Sequence, residues 1–184
     1  MSVSSSGELS LAVDYMREMF ADSATWRAVV DSPWLDWADT LTLINAATSS
    51  ESNARAAIKT GSWQNETDHA DYKAPPVITI KHESFRSDRR ATTGFDLDGR
   101  FEVMIVLPVP TTYQDTKNRF TEDGYHDFYN KVGRIMAEVR DLPRQNGYVD
   151  ITGIELVDHG FSHPKDNIAN AFIGVIAVEW AGST

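Results

Sequence analysis

A chain of 184 residues is long enough for one domain with a real core and too short for two full-sized ones. Its 41% hydrophobic and 24% charged residues are globular in balance, and the absence of cysteine excludes disulfides, thiol nucleophiles and thiolate metal sites. A net charge of -10, with a pI near 4.8, argues against a face that grips nucleic-acid phosphates.

Met1 to Gly7 is polar, so no secretion signal is expected, and no run approaches the roughly 20 apolar residues of a membrane span. Ser5 and Glu8 form a capping box for a first helix whose stripe is Leu11, Tyr15 and Met19, with Ala12, Met16 and Phe20 beside them. Asp22 or Ser23 caps a second, shorter helix with Trp26, Val29 and Val30 on its apolar face, and Asp31-Ser32-Pro33 stops it. Residues 33–74 read as an irregular insertion within a single domain spanning 1–184. Trp34, Trp37, Leu41 and Ile44 suggest a helix over about 34–46, Ala54 to Lys59 one more turn, and the rest an exposed excursion.

The second half is more regular. Pro75-Pro76 introduces a strand over 77–83, and a basic loop, Phe85 to Arg90, follows it. Phe95, Leu97, Phe101, Val103, Ile105 and Leu107 share one parity across a second strand over 94–107, with Asp98-Gly99 as a turn or bulge signal. A helix over about 119–141 buries Phe128, Val132, Ile135 and Val139, widened by Tyr125, Tyr129 and Met136. Strands over 149–157 and 171–180 close the chain, joined by a loop of about a dozen residues. The expected fold is α+β: a four-stranded, mainly antiparallel sheet with helices on one face, in the order α-(α)-β-β-α-β-β.

No catalytic constellation stands out. His159 and His163 have metal-pair spacing only on a helix, which Gly160 and Pro164 disfavour, so a polar hairpin loop without metal is expected there. Asp96-Leu97-Asp98-Gly99 starts like a calcium loop, yet its twelfth position falls on Leu107. Asp14 with Glu18, and Asp123 with Asp127, read as solvated helix faces. Two features call for a partner: the tryptophans Trp34, Trp37 and Trp63, and the basic segment with Arg86, Arg89 and Arg90, which suits an acidic patch on a neighbour.

Three segments carry a resemblance: the early helix pair ending in Ser23-Ala24-Thr25-Trp26-Arg27-Ala28-Val29-Val30; the strand Pro75-Pro76-Val77-Ile78-Thr79-Ile80; and Gly99 to Val106 with the helix after it and the closing Ala171 to Trp180. Together they resemble the tail-terminator and neck (head–tail joining) proteins of tailed bacteriophages and archaeal tailed viruses. The resemblance implies a non-enzymatic virion protein, assembled in the host cytoplasm without a cofactor. It would form a hexameric ring that ends the tail tube and meets the neck, and DNA would pass through it without specific binding. An acidic channel follows from the charge, with Asp115, Glu122 and Asp123 in the loop 110–123 as candidate lining. The alternatives are a head-completion or stopper protein of the neck, and a small enzyme or ligand-binding domain with a site under residues 33–74.

Overall fold

The computed structural model describes residues 8–61, 75–89, 95–113, 121–141, 149–162 and 171–183. Helix α1 (Glu8–Asp22) buries Ala12, Met16, Met19 and Phe20, which recur at helical spacing on one face. Leu11 is 51% exposed, one position off that face, and Ser5 lies outside the described residues. Helix α2 (Ala24–Asp31) starts at Ser23, whose Oγ accepts the Trp26 amide proton at 3.0 Å. Trp26 is fully buried, and its indole N–H donates to the Ala54 carbonyl at 3.1 Å.

Residues 33–61 are more ordered than their composition suggests. Helix α3 (Trp37–Ala46) is capped by Asp36 and helix α4 (Glu51–Ala56) by Ser50. Strand β1 (Ile58–Thr60) then joins the sheet edge, parallel to the next strand, with Ile58 opposite Ile78. The expected four-stranded sheet therefore has a fifth strand, and it is mixed. Three residues are too few to show a period, so nothing in the sequence marks β1.

The remaining strands are β2 (Val77–Arg89), β3 (Phe95–Pro108), β4 (Val149–Ser162) and β5 (Ala171–Ser183), and the sheet order is β1-β2-β3-β5-β4. The expected basic loop is strand as far as Arg89, which pairs with Phe95. A register shift between His82 and Ser84 resets the alternation, which is why the period-two pattern breaks at Glu83. Strand β4 shifts register twice, between Ile151 and Gly153 and between Leu156 and Asp158, and runs on through His159 to Ser162. His159 thus sits on a strand rather than in a hairpin loop, and the connection to β5 is shorter than expected. His163 lies outside the described residues.

Asp98-Gly99 is not a turn either. Both residues pair across β3, and a Cβ on Gly99 would stand 2.6 Å from the Ser84 carbonyl oxygen and 2.8 Å from Trp180 Nε1. Glycine is there because the Trp180 ring lies over the strand. Phe101 stacks on the same ring at 5.9 Å between centroids, and Phe85 at 6.1 Å.

Helix α5 (Glu122–Asp141) lays Phe128, Val132, Ile135 and Val139, all fully buried, on the sheet face formed by Ile105, Phe172, Ile176 and Val178. Each such side chain contributes roughly 1.5–3 kcal/mol by leaving water. Helices α1 and α2 complete the same layer. A smaller cluster, Val77, Met104, Val106 and Ala171, lies on the other face of the sheet.

The helical layer is pinned by Glu138 of α5. Its carboxylate accepts from the Ser23 hydroxyl (2.8 Å), the Thr25 amide (3.0 Å), the Thr25 hydroxyl (2.9 Å) and Arg134 Nε (2.9 Å). Burial alone would raise its pKa, but the hydrogen bonds from Thr25, Arg134 and Ser23 outweigh it and hold the pKa below the ordinary 4.5. A depressed carboxylate stabilises the fold above its unfolded pKa, and that contribution is lost as pH falls through the folded value. Glu138→Gln should therefore cost about 1–3 kcal/mol in urea unfolding near neutral pH. The gap from wild type should close as pH drops below 4.5. Gly99→Ala should cost about 1–3 kcal/mol in the same assay, because a strand carbonyl and the Trp180 ring must both yield.

Candidate functional site, an acidic cleft beside α5

Of the residues singled out in the sequence, Trp37, Asp123 and Asp127 come together, and the other described ones do not join them. Arg86 is exposed on β2, Arg89 holds the last register position of β2, and Arg90 and Asp115 lie outside the described residues. The expected acidic loop 110–123 is partly helical: Thr111–Tyr113 is a 3-10 turn, and Glu122 and Asp123 form the exposed first turn of α5. Carboxylates belong at that end, where the unpaired amides of the helix carry partial positive charge. Trp34 is 56% exposed, and Trp63 lies outside the described residues.

A site does form where the N-termini of α3 and α5 meet. A cleft of about 340 Å³ is lined by Asp36, Trp37, Tyr113, Asp123, His126 and Asp127. Asp127, read from sequence as part of a solvated face, has only 7% of its side chain exposed. Its Oδ2 accepts from Lys131 Nζ at 2.7 Å, and the same ammonium donates to the Leu35 carbonyl at 2.7 Å. The pair ties α5 to the turn that starts α3. Its i,i+4 spacing is that of any exposed helix pair, so the sequence could not distinguish them.

Asp127 Oδ1 is buried and has no short, well-aligned hydrogen bond among the described residues. Burial raises the Asp127 pKa, and this outweighs the opposing pull of the Lys131 ammonium and of the Trp37 backbone amide. Tyr113 is pushed up to about 12, first by burial and then by Asp127, Asp36, Asp123 and Asp39. The cleft therefore has a negative field that favours any proton or cation placed in it.

Two other places hold polar groups. An open groove of about 650 Å³ between α1 and the β1–β2 edge is lined by Val13, Asp14, Ile80, Lys81 and His82, where burial lowers the His82 pKa. Tyr129 Oη lies 2.8 Å from His159 Nε2 on the exposed side of α5. Among the described residues, no three His, Asp or Glu side chains are grouped to hold a metal ion. Nor is any described helix long and apolar enough to cross a membrane. No protein-family model and no curated protein sequence matches the chain.

Removing one member of the buried pair strands the other in low dielectric. Lys131→Met should cost about 3–5 kcal/mol in urea unfolding, and Asp127→Leu with Lys131→Met together should cost less than that single change. A double change as costly as the sum of the singles would show that the two charges act independently.

Proposed function

We propose that this protein is a structural component of a tailed virus. It forms a closed ring of six subunits at the head-proximal end of the tail, ends the tail tube and joins it to the neck. The observation that carries this reading is the layering. Strands β2, β3, β5 and β4 form one sheet, with α5 and the α1–α2 pair on a single face. With α3, α4 and β1 set aside, these elements follow one another in the order α-α-β-β-α-β-β expected from the resemblance. The other face carries the small apolar cluster around Val106 and an ion pair, Arg100 with Glu83 at 2.9 Å.

In the ring, carboxylates line the passage so that DNA slides without sticking, and Glu122 on the first turn of α5 is a candidate with Asp115. Asp123 borders the cleft instead. The ring needs no cofactor, since its work is to present matching surfaces to the tube and the neck. A stopper protein on the neck side would share this architecture. A ligand-binding domain is favoured by one observation, the cleft with its converging carboxylates and shifted Tyr113.

Two measurements test the reading. The purified protein should sediment at six times its 20.5 kDa mass, about 123 kDa, as a closed cyclic assembly. Deleting the gene from the producing virus should give tails of abnormal length and heads that do not join them. Normal tails with DNA leaking from unjoined heads would move the protein to the neck, and fully infectious particles would end the structural reading.

A further inference from the structure

Strand β2 turns alternate residues inward: Ile78 and Ile80 are buried, and His82 takes the next such position. An imidazole thus stands where the alternation calls for an apolar side chain. The register shift between His82 and Ser84 brings Phe85 back to the same side. The imidazole therefore meets two rings edge-on, Phe101 at 5.1 Å and Phe85 at 6.1 Å between centroids. Phe101 is fully buried and stacks on Trp180, so this seat is supported from behind. His82 Nε2 is buried and has no hydrogen bond among the described residues. A neutral ring can place its lone pair on Nε2 at modest cost, whereas imidazolium needs an acceptor for both of its N–H groups.

His82 also lines the groove of about 650 Å³ between α1 and the β1–β2 edge, together with Ser10, Val13, Asp14 and Lys81. The charged groups around it come from each neighbouring element. Helix α1 presents Asp14, whose side chain is 59% exposed and whose partner Arg17 stands off at 3.9 Å. On β3, Arg100 is held by Glu83 at 2.9 Å, and Glu102 lies opposite Lys81 in the ladder. Strand β1 and the residue after it contribute Thr60 and Gly61, which carry no charge. Asp14 is thus the one carboxylate among the described residues that line the groove.

We propose that His82 is an acid-operated latch: neutral, it seats against Phe101 and leaves the groove open; charged, it leaves that seat and pairs with Asp14 across the groove. Burial lowers the His82 pKa from the ordinary 6.5. The seated form therefore contributes stability that is fully present above 6.5 and is lost as pH falls through the lower folded value. Departure of the ring uncovers Phe85 and Phe101, and the ladder beyond the register shift, 84–89 against 95–100, loses its inner support. The latch works within one subunit and does not depend on the ring reading.

The experiment follows the histidine ring signals of the full-length protein by NMR between about pH 8 and 5, with His82→Phe to assign the His82 signal. His82 should titrate below 6.5, and its ring contacts with Phe101 should vanish over the same range. Asp14→Asn should weaken proton binding at His82 about threefold, because the charged form loses its partner. Amide protection over 84–89 should fall about tenfold across that range in the wild type. It should fall less in His82→Phe, which fills the aromatic seat with a ring that does not titrate. A titration at or above 6.5, or Phe101 contacts that persist in the charged form, would overturn the latch. An unchanged titration in Asp14→Asn would overturn the pairing across the groove. Equal loss of protection in wild type and His82→Phe would overturn the link to the ladder. Should His82→Phe not fold, the wild-type titration and Asp14→Asn decide the latch without it.

Discussion

The carboxylate of Glu138 is where the helical layer is fixed, and much of the molecule depends on that point. It receives both hydroxyls and one amide at the start of α2, while Ser23 Oγ also caps that helix. Because the cap fixes where α2 begins, Trp26 enters the core at a defined depth and its indole N–H meets the Ala54 carbonyl. The Ala54 contact holds α4, and α4 delivers Ile58 to the sheet edge opposite Ile78. Asp31, at the other end of α2, accepts from the Ser50 amide and the Asn53 side chain, which fixes the approach of α4 from its other side. A polar contact on α5 thus sets the position of the fifth strand, some eighty residues away in sequence.

Helix α5 carries two kinds of information on two faces. Its apolar stripe is generic, since any helix with Phe128, Val132, Ile135 and Val139 so placed would lie on an apolar sheet. Its polar contacts are specific. Glu138 selects α2, and Lys131 selects the carbonyl of Leu35, just before α3. Burial strength comes mainly from the first face, while the second determines which segments sit beside the helix. Buried ion pairs of the Asp127–Lys131 kind often add little net stability over a well-packed apolar pair. Here the pair also holds the turn from which Asp36 and Trp37 reach the cleft.

Legibility in the sequence follows the same division. The stripe of α5, the Trp26 face of α2 and the single parity from Leu97 to Leu107 were readable, because burial against one surface imposes a period. What failed was whatever interrupts a period or lacks one. The shift after His82 and the two shifts in β4 end the alternation while the strands continue, so both were read as loops too early. Gly99 carries a turn's composition but is set by a ring from another strand. Trp37, Asp123 and Asp127 stood out separately, but their meeting in one cleft was not legible. Asp36, Tyr113 and Asp127 come from three separate segments, and each reads singly as an ordinary cap, turn or surface acid.

The chemistry of the cleft also bears on which kind of function it can serve. Proton transfer near neutral pH needs a group poised close to pH 7 and held against its partner. Tyr113, at about 12, stays protonated throughout that range, because burial first and the surrounding carboxylates second oppose a phenolate. Asp127 has one oxygen committed to Lys131, and His126 is exposed on the rim, 3.8 Å from the still more exposed Glu122. The carboxylates that add to the effect of burial on Tyr113 also favour a positive charge in the cleft. A cation entering the cleft gains from the carboxylates of Asp36, Asp123 and Asp127 without any proton moving.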